Sequence, residues 1–238
     1  MILMLGALAG PLMAGPFDNT ELKNITGVES EKASASAFLQ ETPAGFHVRV
    51  AGYNIAHARG NKSGGLNEIG RRKNLQGIIK LLKKNEIDVV GLTEVSKGDL
   101  RAGFQNQPES IAKGLGNFHK VYGENVKVGW FGFLATQGNA VVSRYRILSH
   151  TNHALYRTSD KHEQRGCLEA LLDLGKGKKL RVFVAHLSLV AEESDKQVRE
   201  IFDWVKAGQE PVILLGDFNS RPKSGRVKWL SQIGRAHV

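Results

Sequence analysis

The sequence predicts an α/β protein with a two-sheet core and helices outside it. Short apolar runs rich in Val and Ile recur along the chain, bounded by Gly, Pro or polar residues, as buried strands are. Two segments carry apolar residues at i, i+3, i+4 and i+7, as helices with one buried face do. The 238 residues are 41% hydrophobic and 24% charged, ordinary for one folded domain.

The elements follow in chain order. Met1 to Phe17 carries no charged side chain and is rich in Leu, Met, Ala and Gly. It resembles the apolar part of a secretory signal, with Leu12-Met13-Ala14 a weak cleavage site. Gly10-Pro11 interrupts the run, and a membrane span needs about 20 apolar residues. Residues 1–17 are therefore expected to be a leader that exports the protein to the periplasm or beyond, with a cytoplasmic protein carrying a disordered leader as the alternative. Residues 18–45 are polar and read as a linker, which puts the domain at 46–231.

Within the domain, Phe46-His47-Val48-Arg49-Val50 leads into a strand ending near Asn54. Leu75, Ile78, Ile79 and Leu82 form the stripe of a first helix, and Ile87 to Val95 is an apolar run closing on Glu94. Residues 96–137 read as loops around the site, with Trp130 and Phe131 in them, and several strands follow. Cys167, the only cysteine, lies in an apolar run and is expected to be buried, so no internal disulfide forms. Leu180 to Leu187 closes on His186. Val198, Ile201, Phe202 and Val205 mark a second helix, for which Ser194-Asp195-Lys196-Gln197 is the expected capping box. Pro211 to Leu215 is a last buried strand, ending in Gly216-Asp217-Phe218-Asn219.

That ending is the most informative stretch. Alternation along a strand would aim Asp217 and Asn219 the same way and Phe218 into packing. A carboxylate beside an amide suits phosphate chemistry, since one accepts a proton or holds a metal while the other donates to an oxyanion. Taken alone, Asp and Asn after a strand are more often turn formers, a lone His a satisfied structural residue, and a lone Glu a solvated one. Four strand ends carrying Asn54, Glu94, His186 and then Asp217 with Asn219 are hard to explain as four accidents.

With these residues in place, the chain resembles the exonuclease–endonuclease–phosphatase family of metal-dependent phosphoesterases. The matching stretches are YNI at 53–55, LTEV at 92–95, GNAVVSRYRI at 138–147, Arg165-Gly166, AHL at 185–187 and GDFNSRP at 216–222. They are specific for the family and poorly specific for substrate. Asn54 to Gly60 is similar to a bacterial subgroup reading Asn-Ile-His-His-Gly-Arg-Gly, but Ala56 and Ala58 depart from it, which leaves His57 and Arg59 without an assigned role. Thr93 stands where Gln usually precedes the metal-binding Glu.

The resemblance implies a four-layer α/β sandwich, two mixed sheets face to face with helices outside and the site at one edge. It implies that Glu94 binds Mg²⁺, with Mn²⁺ the alternative, and that Asn54 lies beside the metal or phosphate. Asp217 would orient or deprotonate the attacking water, Asn219 would hold that water or the phosphate, and His186 would donate to a phosphate oxygen. Arg165 and Asn139 are the candidate phosphate-binding residues. The implied reaction is in-line hydrolysis of a phosphoester without a covalent intermediate.

Members of the family finish on a late strand with an Asp-His pair, and no such pair follows Asn219. Ile233 to Val238 is one translation of a sequencing-adapter sequence, so residues 232–238 are expected to be a non-native tail. The expected consequence is a sandwich missing its last strand or strands, with little Mg²⁺-dependent hydrolysis by the chain as written.

The net charge is +10, from 33 basic against 23 acidic residues. Such a surface favours polyanions, so nucleic acid is one substrate class and an anionic membrane surface another partner. Arg71-Arg72-Lys73, Lys83-Lys84 and Lys176 to Lys179 fall on expected helix faces or hairpin tips, where charge is commonly only solvated. Nuclease activity, a lipid or small-molecule phosphodiesterase, a phosphomonoesterase and a catalytically inactive phosphate-binding module all stay open.

Overall fold

A computed structural model of the chain describes residues 47–59, 68–99, 104–130, 133–221, 224–227 and 230. The segments read above as leader, linker and tail lie outside the described residues, as do Phe131 and the Trp130 side chain. The first sheet contains β1 (Val50–Asn54), β2 (Val89–Lys97), β3 (His119–Trp130) and β4 (Phe133–Ser143). The second contains β5 (Arg146–Ala154), β6 (Gly166–Gly175), β7 (Lys178–His186) and β8 (Val212–Asp217). Their orders are β1-β2-β4-β3 and β5-β6-β7-β8.

Each sheet is mixed, with one parallel pair: β1 with β2, and β7 with β8. Parallel neighbours need a crossover, usually a helix. Helix α1 (Glu68–Lys84) makes the first crossover and α3 (Ala191–Lys206) the second, while α2 (Gln107–Gly114) joins β2 to β3. The strand ends that a parallel pair brings together are both carboxyl ends. Each sheet therefore delivers two adjacent strand ends to the same edge of the molecule.

Alternation along the strands builds the layers. In β7, Val182 and Val184 join Val89, Val141, Leu168, Ile213 and Leu215 in a core between the sheets. The intervening Phe183 and Ala185 join Val198, Ile201 and Val205 of α3 in a second core. On the other side, Val90 and Leu92 pack against Leu75, Ile78, Ile79 and Leu82 of α1 and Ile111 of α2. Three apolar cores separate four layers, helix–sheet–sheet–helix, as the resemblance implied. The sheets pack tightly at Gly91, where an added Cβ would lie 2.7 Å from Val184 Cγ2 and 3.0 Å from Leu215 Cβ.

Two local expectations are corrected. Residues 96–137 hold α2 and most of a long hairpin rather than site loops. The missed signal is Asn106, whose side chain accepts from Glu109 N at 3.2 Å, followed by Pro in the first turn. The second helix starts at Ala191, so Ser194 lies inside its first turn and caps nothing. Instead Gln197 accepts from Ser188 N and donates to the Tyr156 carbonyl, pinning loops on both sides of the helix start. Cys167 is fully buried, and burial pushes its thiol well above the ordinary range.

Candidate active site

Side-chain parity decides which strand residues reach the seam between the sheets. Val182 and Val184 face it, so His186 does; Ile213 and Leu215 face it, so Asp217 does. His186 and Asp217 are direct partners in the β7–β8 register. They are 6% and 5% exposed, and His186 Nε2 lies 4.0 Å from Asp217 Oδ2. Gly216 has φ of +135° and presses against Ala185, where a Cβ would sit 1.9 Å from the carbonyl oxygen. Only glycine closes β8 onto β7 there.

Across the seam, β1 ends in Asn54, paired in register with Thr93 of β2. Glu94 reaches the seam by another route. The β2–β4 register shifts between Leu92 and Val95, so Thr93 and Glu94 together oppose Asn139. Glu94 has φ of +51°, and β2 runs on to Lys97 rather than closing at the carboxylate. Bulges of this kind re-aim a side chain. Without the extra residue, alternation would turn Glu94 toward the α1 side.

The two sheets meet at Asn54. Its Nδ2 donates to Glu94 Oε1 and to Asp217 Oδ2, both at 2.9 Å, and its Oδ1 accepts from Ala56 N at 2.9 Å. One amide thus holds two carboxylates from different sheets at hydrogen-bond distance. Burial raises the Glu94 pKa, but the Asn54 hydrogen bond, with His186, His57 and Arg59 nearby, outweighs it and leaves the carboxyl below its ordinary value.

Arg165, just before β6, donates from Nη1 toward the His186 ring, 2.9 Å from Nδ1 and 3.2 Å from Nε2. A guanidinium only donates, so it addresses a lone pair of the imidazole and leaves the other ring nitrogen to carry the proton of a neutral ring. Burial and then Arg165 push His186 down to about 4, against the opposing pull of Asp217 and Glu94. His186 is therefore neutral at pH 7.

Asn219 joins through a turn rather than by strand alternation. Its backbone N donates to Asp217 Oδ1 at 2.9 Å, its φ is +44°, and its Nδ2 donates to the Leu187 carbonyl at 2.7 Å. Phe218 is fully buried, as alternation predicts. Asn139 stands behind the site. It is fully buried, with Nδ2 donating to the carbonyls of Gly166 and Val184 at 2.8 and 3.1 Å, so it ties the two sheets together.

Sequence reasoning left His57 and Arg59 unassigned, and both lie against Glu94. His57 Nε2 is 3.5 Å and Arg59 Nη2 4.0 Å from Glu94 Oε2. They are carried by a turn in which Ala56, His57 and Ala58 all have positive φ, a left-handed geometry that no sequence pattern here announces.

Among the described residues, no three or more His, Cys, Asp or Glu side chains converge as a metal cage. The oxygen donors that Glu94 and Asn54 offer at the seam, a carboxylate and an amide, fit Mg²⁺, a hard ion that keeps several waters and takes one or two carboxylates. The Glu94 side chain is 28% exposed, which leaves room for such waters.

A family model for the Endonuclease/Exonuclease/phosphatase family matches residues 51–237. No curated protein matches the chain in sequence. Among solved structures, an endonuclease/exonuclease/phosphatase from Beutenbergia cavernae superposes with a TM-score of 0.60 at 23% identity, over 78% of this chain and 53% of its own. The chain thus spans about half the length of that protein. A mannosyl-6-phosphatase from Bacteroides thetaiotaomicron gives 0.61 at 18% identity, covering 79% of this chain and 71% of its own. A humanized D. rerio TDP2 gives 0.52 at 17% identity, covering 77% and 66%. The structural likenesses establish the sandwich fold, and the sequence match carries the assignment: this chain belongs to the Endonuclease/Exonuclease/phosphatase family.

Proposed function

We propose that the protein is a metal-dependent phosphoester hydrolase, a phosphodiesterase or endonuclease in preference to a phosphomonoesterase. The observation that carries this reading is the bridge from Asn54 to Glu94 and Asp217, which gathers two carboxylates from separate sheets at one edge. Glu94 and Asn54 would hold a divalent cation, Mg²⁺ or Mn²⁺, which when bound supplies positive charge to the phosphoryl group.

The remaining steps belong to the chain's own residues. Asp217, fixed by Asn54 and by the Asn219 backbone, takes a proton from the attacking water. Asn219 orders the turn beside that water. Neutral His186 donates its ring N–H to a phosphoryl oxygen as charge builds there, and the Arg165 guanidinium beside it adds positive charge. Burial of His186 and Asp217 strengthens both interactions by excluding bulk water.

A net charge of +10 supports nucleic acid as the substrate. Leu189, 77% exposed and three residues past His186, supports a second reading, a phosphodiester bearing an apolar group. The similarity to a mannosyl-6-phosphatase supports keeping sugar phosphates in the screen.

The test is hydrolysis of bis(p-nitrophenyl) phosphate by the protein. Turnover should require Mg²⁺ or Mn²⁺ and fall at least about 100-fold in Glu94→Ala and Asp217→Asn. Phosphate or nucleic acid binding without turnover in any metal would replace the hydrolase by a binding protein. With nucleic acid, affinity should drop steeply as salt rises.

A further inference from the structure

The turn after β1 is a strained segment held by hydrogen bonds from several elements. Ala56, His57 and Ala58 have φ of +44°, +56° and +57°. Left-handed backbone at non-glycine residues is strained and persists only where its surroundings impose it. Here they do. Ala56 N donates to Asn54 Oδ1, Gln107 Nε2 donates to the His57 carbonyl, and Asn74 Nδ2 donates to the Ala58 carbonyl. Gln107 in turn accepts from Ser96 N through Oε1. Side chains from α1 and α2, together with the end of β1, lock one turn.

What the turn gains is the placement of His57. Its side chain is 7% exposed, with Nδ1 2.8 Å from Ser96 Oγ and Nε2 3.5 Å from Glu94 Oε2. Ser96 Oγ also lies 3.5 Å from Asp99 Oδ2, and Asp99 is 2% exposed. A carboxylate only accepts, so what His57 can present to Glu94 is an N–H on Nε2, while Ser96 Oγ holds the other side of the ring and itself donates to Asp99. Too buried to touch a substrate, His57 can still limit how the Glu94 carboxylate rotates.

We infer that His57 is a positioning residue, holding Glu94 in the orientation that accepts a divalent cation, with Ser96 holding the far side of its ring. The inference rests on the proposed metal role of Glu94. Partners behind a metal ligand fix its direction, and losing one commonly costs 10- to 100-fold in metal affinity.

Two substitutions separate this role from mere structure. Asn tolerates left-handed backbone and reproduces His as far as Nδ1, so His57→Asn keeps the Ser96 contact and removes the group facing Glu94. Gln is long enough to return an N–H to the Nε2 position. The experiment is Mn²⁺ binding to the full chain by electron paramagnetic resonance, with thermal melting alongside. His57→Asn should bind Mn²⁺ about 10-fold more weakly than the unmodified protein, and His57→Gln within about threefold of it, while the two variants melt together. Unchanged Mn²⁺ affinity in His57→Asn, or equal losses in both variants, would overturn the inference and leave the metal role of Glu94 standing. An unmodified protein that binds no Mn²⁺ would remove that role and the inference with it.

Discussion

The two halves bring the same four side-chain groups to the seam, an amide, a carboxylate, an imidazole and a guanidinium, yet they hold them in opposite ways. The first sheet supplies Asn54, Glu94, His57 and Arg59; the second supplies Asn219, Asp217, His186 and Arg165. On the first side the backbone is irregular, with Glu94 on a bulge and His57 on a left-handed turn. The Glu94 side chain is 28% exposed and Arg59 is 55% exposed. On the second side His186 and Asp217 sit in register on paired parallel strands, almost fully buried, with positive φ at Gly216, where it costs little, and at Asn219 in the turn beyond. An open, adjustable carboxylate suits a hydrated cation. A dry, fixed acid beside a neutral imidazole suits proton transfer and oxyanion stabilisation. Strain and exposure thus distinguish two halves that residue type alone would call equivalent.

The most damaging way to break this arrangement is to remove its bridge. Asn54→Ala leaves two carboxylates facing each other without the shared amide, and a hydrogen bond to a charged group contributes about 1.5–3 kcal/mol. Hydrolysis should fall by about 100-fold or more, and chemical denaturation should show a loss on the order of 3 kcal/mol. Full activity in Asn54→Ala would mean the halves work independently.

A smaller effect sharpens the comparison from behind the site. Gly91→Ala forces a Cβ to within 2.7 Å of Val184 and 3.0 Å of Leu215. Overpacking of this kind costs typically 1–3 kcal/mol, so the melting temperature should drop while the site residues themselves are intact. Because β7 would have to move, turnover should suffer more than Mn²⁺ binding.

Acid should act on the second half first. His186 takes a proton at about 4 when folded, against 6.5 for an ordinary histidine. Between those values the unfolded chain binds the proton that the folded chain refuses, so stability falls as pH drops from 6.5 toward 4. Glu193 adds to this below 4.5. Its burial raises the pKa, but hydrogen bonds from His162, Ser188 and Thr158 outweigh it and bring the carboxyl down to about 2. Denaturant midpoints between about pH 7 and 4 check the first part, and His186→Gln should flatten the curve above about pH 4.5.

The second half was legible in the sequence and the first half only partly so. His186 and Asp217 end regular strands, where alternation and register predict position directly. Glu94 was found because it stands in an apolar run, but its direction depends on a bulge with no local sequence mark. His57 and Arg59 were out of reach for a related reason. Their turn is imposed by Gln107 and Asn74, which are distant in sequence, and local preference would not choose it. The layers were legible because strand alternation and helix periodicity both act over several residues. The start of α3 was misread because Ser194 has the right chemistry for a cap while Gln197 binds other loops instead.

The division of labour between the halves has one direct test, Mn²⁺ affinity and phosphodiester turnover measured together in Glu94→Gln and Asp217→Asn. The account predicts that Glu94→Gln weakens Mn²⁺ binding about 10-fold or more, with turnover partly restored by excess metal. It predicts that Asp217→Asn binds Mn²⁺ within about threefold of the unmodified protein and loses about 1,000-fold in turnover at saturating metal. Equal losses of Mn²⁺ affinity in both variants, or a loss confined to Asp217→Asn, would contradict it.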